Sequence, residues 1–335
     1  MTQRTLVTFL LVCLLASVGA YAQSGSPKCA WCGKPIVNEK YYYQEDKLYH
    51  ESCYLEHVAM RCDACGEIID GEYIMYEGKN YHPDCYRDKI AMRCSLCGEP
   101  LIGEYIIDYW GNKYCAHHKG HAKECRFCGR LISDMQEMGG ASYSDNRGIC
   151  SICAKSAITD LEEANAILEE VRTRLARLNV VVPRNDVELH LTDPGKIAKH
   201  YGMDLNENTG FVEYNYETFV GITTKQKFDV YLLNGMPRMH FIATAAHELM
   251  HIWQYVNCPM NNDKALCEGS CNYAAAKVIG QIGGPECEYI LHTFEQSDDP
   301  VYGVGYRKVS KLALSLGDWD WLEYLKKNKS FPDGY

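Results

Sequence analysis

Residues Met239 to Val256 read MHFIATAAHELMHIWQYV, with HELMH at 247–251 as its polar centre. On an α-helix, residues four apart share a face. His247 and His251 therefore present two imidazoles to one metal ion, and Glu248, one step round, sits beside that metal's water. A core helix with two satisfied histidines accounts for the string less well. Alanines and aliphatics surround it, and burying His, Glu and His together without a partner is costly. The spacing predicts a helix that carries a hydrolytic zinc site.

Such a site needs a third protein ligand and leaves a fourth position open to water. Downstream, Asp263 to Ile282 reads as a second helix, ended by Gly283-Gly284 and bearing Glu268 in a run of small residues. Glu268 is the expected third ligand. Asn272, one turn on, is placed to orient a ligand histidine. Upstream, VELHL at 187–191, GFVEYNYETF at 210–219 and KFDVYLL at 227–233 alternate apolar and polar residues and predict a small sheet before the active helix. An oxyanion donor is sought in Ser297–Arg307, where Gly303 and Gly305 permit close backbone approach. Tyr302, Tyr306 and Arg307 offer side-chain donors there, with Tyr306 the chosen one and His292, on the helix before, as the rival. Cys258, Cys267, Cys271 and Cys287 have no knuckle spacing and are expected to supply one or two disulfides between the two helices.

At 335 residues and 47% hydrophobic content the chain is long enough for about two domains with cores. Its formal charge of −10 excludes attraction to polyanions as an organising force. Arg4, the apolar run LVTFLLVCLLASVGA and Ala20-Tyr21-Ala22 have the form of a signal peptide over 1–22. The mature chain is therefore expected to be exported, periplasmic or extracellular, without a membrane span.

Export makes the 18 Cys look like a disulfide framework, but their spacing points to metal. Between residues 29 and 153, thirteen of them combine with three His into four foursomes: Cys29, Cys32, His50, Cys53; Cys62, Cys65, His82, Cys85; Cys94, Cys97, Cys115, His118; and Cys125, Cys128, Cys150, Cys153. Every pair within a foursome has a two-residue gap, and the foursomes recur about every 32 residues as an internal repeat. Disulfides explain neither the interleaved His nor the fixed gaps. Four closed, structural zinc sites do, in modules too small to hold a core alone. The repeat carries 16 Lys and Arg against 19 Asp and Glu between Lys28 and Lys155, and zinc-bound thiolates add negative charge, so nucleic acid is excluded as a partner. Exposed Tyr and Ile in the intervening hairpins fit protein contact instead. Thr159 and Glu162 then read as a capping box for a helix whose apolar stripe, Leu161 to Leu178, docks on a neighbouring domain.

Knuckle repeats, a linker helix, LNGMPRMHFIATAAHELMHIWQ at 233–254, LCEGSCNYAAAK at 266–277 and SDDPVYGVGYRKV at 297–309 together resemble the LIM-domain, ubiquitin-activated zinc metallopeptidases of plants that regulate organ size. The resemblance implies a peptidase with His247 and His251 as ligands and Glu248 as catalytic acid and base, here as an exported, bacterial-type relative. A LIM domain joins its two zinc modules by two residues, whereas eight separate Cys53 from Cys62 and Cys85 from Cys94.

The expected architecture is α+β: a signal peptide over 1–22, four tandem LIM-like zinc modules over 28–155, a linker helix over 156–182 and a zincin-like peptidase domain over 183–335. The expected cofactors are one catalytic and four structural Zn²⁺. The expected partner is a protein or peptide substrate, with a further protein held through the modules. The competing reading is a non-catalytic zinc-binding adhesion or scaffold protein. It leaves unexplained why a structural site should keep Glu248, a carboxylate that does not touch the metal.

Overall fold

The computed structural model describes residues 8–10, 14–15, 26–132, 141–142, 147–202, 208–219, 222–259, 262–317 and 320–335. It is a mixed α/β structure with tandem Cys/His knuckle modules, and it divides into two compact units, Met1–Ala122 and Lys123–Tyr335. The first unit holds three of the foursomes and the second holds the fourth.

Within the first unit each module is a knuckle, a hairpin and a second knuckle. The hairpins are Tyr41–Gln44 with Lys47–His50, Glu72–Tyr76 with Lys79–Tyr81, and Tyr105–Ile107 with Lys113–Cys115. In the first knuckle of each of the four modules the glycine after the second cysteine has positive φ, from 68° to 80°, and its N–H donates to the carbonyl of the first cysteine at 2.8–2.9 Å. A side chain is strained in that conformation, which accounts for Gly33, Gly66, Gly98 and Gly129. The apolar cores are small: Ile36, Tyr49 and Tyr54 in the first module, Ile69, Ile74, Tyr81 and Tyr86 in the second. So little apolar surface cannot offset chain entropy alone, and metal must supply the remainder. Tyr43, Met75, Ile102 and Tyr109 stay exposed on this unit. Of the apolar N-terminal segment, Thr8–Leu10 and Leu14–Leu15 pair with hairpin strands of the second and first modules, while the expected cleavage site after Ala22 lies outside the described residues.

The second unit begins with the fourth module. Ala157–Ile158 then pairs antiparallel with Met236–Pro237, and the linker helix spans Leu161–Ala176. Its cap differs from the expected Thr159–Glu162 box. Because the chain stays extended through Asp160, the Asp160 carboxylate caps the helix by accepting from Glu163 N–H at 2.8 Å. Ala164, Ile167, Leu168, Val171 and Leu175 are buried against the neighbouring helices, and Leu161 is left exposed.

Three strands form the sheet. Ile222–Leu233 is central, with Val187–Thr192 parallel on one side and Gly210–Phe219 antiparallel on the other, so Gly210–Phe219 is an edge strand. The edge strand runs beside the HELMH helix, Arg238–Asn257, which packs on the Glu268 helix, Lys264–Gly280. Asp263 caps the latter by accepting from Leu266 N–H at 2.9 Å. Pro285–Gln296 and Gly303–Leu316 complete the helical layer before a final helix, Asp320–Lys327.

The Glu268 helix crosses Gly303–Leu316 glycine on glycine. A Cβ built on Gly269 would stand 2.3 Å from the Gly305 carbonyl carbon, and one on Gly305 would stand 2.5 Å from the Ala265 oxygen. Backbone cannot yield as a side-chain tip can. Gly305→Ala is expected to destabilise this unit by about 1–3 kcal/mol, lowering its melting temperature by some 2–4 °C per kcal/mol, and to weaken metal binding because Glu268 adjoins the crossing. Thermal unfolding and a zinc titration test this, and an unchanged midpoint would show that the crossing is slack.

Candidate metal centre

The four foursomes each bring their donor atoms together, all within 4.8 Å of one another. Cys97 Sγ lies 3.8 Å from Cys115 Sγ, and Cys128 Sγ 3.6 Å from Cys150 Sγ. Tetrahedral zinc with bonds of roughly 2.3 Å to sulfur sets its thiolates about 3.8 Å apart, so the tetrads suit zinc. His50 and His82 offer Nδ1 to their tetrads, while Nε2 faces the Pro35 and Ile68 carbonyls at 3.3 and 3.1 Å, which fixes the tautomer. Burial disfavours the Cys29 and Cys62 thiolates. Backbone N–H groups from Cys32, His50 and Trp31, and from His82, Ala64 and Cys65, outweigh it and bring both thiols down to about 6.

A separate cluster stands between the HELMH and Glu268 helices. His247 Nε2 is 3.1 Å from Glu268 Oε2 and 3.1 Å from His251 Nε2, and His251 Nε2 is 3.3 Å from Glu268 Oε2. Two imidazole nitrogens and one carboxylate oxygen on a tetrahedral zinc stand about 3.3–3.4 Å apart, so these donors fit one such cation. The outer nitrogens are held as well. His247 Nδ1 donates to Asn272 Oδ1 at 2.9 Å, and His251 Nδ1 donates to Gln254 Oε1 at 3.1 Å. Each bond puts the proton on Nδ1 and leaves the Nε2 lone pair pointing at the cluster. Asn272 Nδ2 in turn donates to the Tyr302 carbonyl at 3.2 Å, and Gln254 Nε2 donates to Ser270 Oγ and the Cys267 carbonyl at 2.8 and 3.0 Å.

The cluster lies in a cleft of about 1240 Å³, also lined by Glu248, Thr209, Gly210, Tyr255, Phe294 and Tyr302. Glu248 is buried, and burial pushes its carboxyl above the usual range. The two imidazoles oppose this rise and Glu268 adds to it. Burial works the same way on Glu268, but hydrogen bonds to the imidazoles prevail and hold it well below the usual range. Gly210 leaves room at the start of the edge strand, since a Cβ there would come within 3.0 Å of Glu248 Oε1.

Tyr306 requires a correction. It is 7% exposed, packs on Phe294 with ring centroids 5.5 Å apart, and does not line the cleft, because in the first turn of its helix it faces inward. Tyr302, just before that helix, lines the cleft with its ring 6.3 Å from that of His247. His292 does not line the cleft. The expected disulfides are also absent. The described cysteines are free thiols, and Cys267 and Cys271 turn toward His251 and Gln254 instead.

Sequence reasoning missed Gln254, although it lies three residues past His251, within reach on a helix, as Asn272 follows Glu268 by four. It also missed that the fourth module adjoins the cleft wall. Phe127 meets the ring of cleft-lining His240 at 5.2 Å, and burial lowers His240 to about 4. Gln254→Met, which leaves the His251 Nδ1–H without an acceptor, is expected to weaken metal affinity about 10–100-fold, measured by competition with a chromogenic chelator. Undiminished affinity would show that helix packing alone orients His251.

Cys/His tetrads in hairpin modules have the character of LIM-type zinc knuckles, and a separate two-histidine, one-carboxylate cluster is a further candidate metal centre. The LIM domain family matches residues 62–123, running across the eight-residue spacer between Cys85 and Cys94. The chain is homologous to the DA1-family LIM-domain proteins of plants. It is 22% identical to Protein DA1-related 1 of Arabidopsis thaliana over 91% of this chain and 61% of that protein. Against Protein DA1 of the same plant the figures are 23%, 91% and 63%, and against LIM domain-containing protein HDR3 of Oryza sativa subsp. japonica they are 24%, 95% and 71%. The chain thus spans roughly two thirds of the length of these relatives.

Proposed function

We propose that this chain is an exported zinc metallopeptidase of the HExxH-plus-Glu type that cleaves protein substrates in a zincin-like domain, its zinc modules supporting that domain and engaging protein partners. The observation that carries the reading is the convergence of His247, His251 and Glu268 to 3.1–3.3 Å beside a buried Glu248 in one cleft. Those three residues would hold the zinc. When bound, it acts as a Lewis acid and lowers the pKa of a coordinated water toward about 7.

The remaining steps belong to the chain. An extended substrate adds alongside Gly210–Phe219, an edge strand among the described residues, whose backbone groups align the scissile peptide along the cleft. Glu248, its carboxyl raised by burial, takes the proton of the attacking water and passes it to the leaving amine. Tyr302 donates its hydroxyl to the developing oxyanion. Burial and the neighbouring Glu268 charge push its pKa up, so it remains protonated. The leader at 1–22 supports export, and the exposed hairpin residues support protein contact.

The test uses the purified full chain and an unfolded protein as substrate. Cleavage is expected. Brief chelation should abolish it before the tetrad metals are lost, because only the cleft site keeps a position open to solvent, and added zinc should restore it. A fully metal-loaded chain that cleaves neither unfolded nor native protein would favour the scaffold reading.

A further inference from the structure

Cys267 and Cys271 belong to no tetrad, and the mechanism above does not use them. Four residues apart, they share the face of the Glu268 helix that meets the HELMH helix. There Gln254 Oε1 has three neighbours that carry hydrogen: His251 Nδ1 at 3.1 Å, Cys267 Sγ at 3.1 Å and Cys271 Sγ at 3.4 Å. An amide oxygen has two lone pairs, so it cannot accept well from all three. The two sulfurs also lie 4.0 and 3.4 Å from His251 Nδ1. Around a tetrahedral d¹⁰ cation with bonds of roughly 2.3 Å to sulfur and 2.0–2.2 Å to nitrogen or oxygen, sulfur stands about 3.6 Å from either lighter donor. The observed sulfur separations lie within about half an ångström of that. His247, His251 and Cys271 can likewise be grouped as metal donors.

We propose that Cys267, Cys271 and Gln254 Oε1 form a second, thiolate-rich site for a soft divalent cation such as Zn²⁺ or Cd²⁺, on the side of His251 away from the first cluster. The incoming cation displaces the two S–H protons to solvent and takes their place against the amide oxygen, which relieves the excess of donors. Cys267 and Gln254 line the cleft, giving the ion a way in, and Cys271 is fully buried behind them. With the cation on one lone pair, Gln254 Oε1 becomes a poorer acceptor for His251 Nδ1–H, so the bond that orients the imidazole on the first metal weakens and turnover falls. Binding at this site stands on the cluster alone, whereas the loss of turnover rests on the peptidase reading.

The test takes the full chain with its other zinc sites filled and adds excess Zn²⁺. Bound zinc is counted by equilibrium dialysis and the cleavage rate is followed in parallel, for wild type, Cys267→Ser and Cys271→Ala. Wild type is expected to take up one further equivalent and to slow as it fills. Both variants should lack that equivalent, and their half-inhibiting zinc concentration should rise by at least about tenfold. Cys267 is only partly buried, so its serine variant retains the fold even if the buried alanine change does not, and melting curves verify this. Equal zinc uptake by all three chains overturns the site. A difference in uptake without any slowing overturns its effect on turnover. A difference in uptake in a chain that cleaves nothing upholds the site and overturns the peptidase reading instead.

Discussion

Glu248→Gln is expected to lower kcat by about 10²–10⁴-fold while leaving bound zinc and melting temperature close to wild type. The side chain is buried beside the two imidazoles, and the amide is nearly isosteric with the carboxyl it replaces, so packing is preserved. What is lost is the proton carrier on which the proposed mechanism depends. A glutamine can neither take a proton from water nor deliver one to the amine. Because the proposed ligands are His247, His251 and Glu268, the metal should stay. Single-turnover cleavage and metal analysis on the same preparation separate the two effects. A glutamine variant that keeps wild-type rates would remove Glu248 from the chemistry, and with it the argument that the cluster is more than a structural metal site.

The second large effect is expected at Tyr302. Tyr302→Phe removes one hydroxyl donor from the cleft, and loss of a single oxyanion donor typically costs about 10²–10³ in kcat. KM should change little, because the interaction forms in the transition state. The ring itself is retained, and Asn272 holds the backbone of residue 302 through its carbonyl, so the link from Asn272 to His247 survives the substitution. Tyr306→Phe is the matching control. Its ring packs on Phe294 but does not itself line the cleft, so this variant should cleave at a near wild-type rate. The opposite ranking would return the donor role to Tyr306 and imply that the first turn of its helix rotates when substrate binds.

The contrast between these two tyrosines shows where sequence reasoning stops. The segment 297–307 stood out because two glycines lie between two tyrosines in it, but which tyrosine reaches the cleft depends on where the helix begins. That boundary lies at Gly303, where the backbone comes so close to Ser297 that a Cβ would stand 2.2 Å from its carbonyl oxygen. The thiols are a similar case. Four cysteines without knuckle spacing in a chain with a leader suggested disulfides, yet two of them share a helix face and meet an amide and an imidazole across the helix interface. Spacing identified the foursomes but not their grouping, and the fourth belongs to the second compact unit.

The sequence by itself determined what depends on local period. Two-residue gaps recurring every 31–33 positions marked the tetrads. The four-residue step of a helix put His247 and His251 on one face, and alternation marked the edge strand at 210–219. Each of these is a relation between residues close in the chain, so helix and strand geometry suffice to read it. The tertiary structure alone decided what depends on two elements meeting. Glu268 comes to 3.1 Å of His247 because Gly269 lets its helix lie directly on Gly305. Gln254 can hold His251 while donating to Ser270 only because the HELMH and Glu268 helices pack together. Such contacts join positions whose separation in the chain has no period, and their geometry is set by packing, where a single Cβ is enough to forbid the approach.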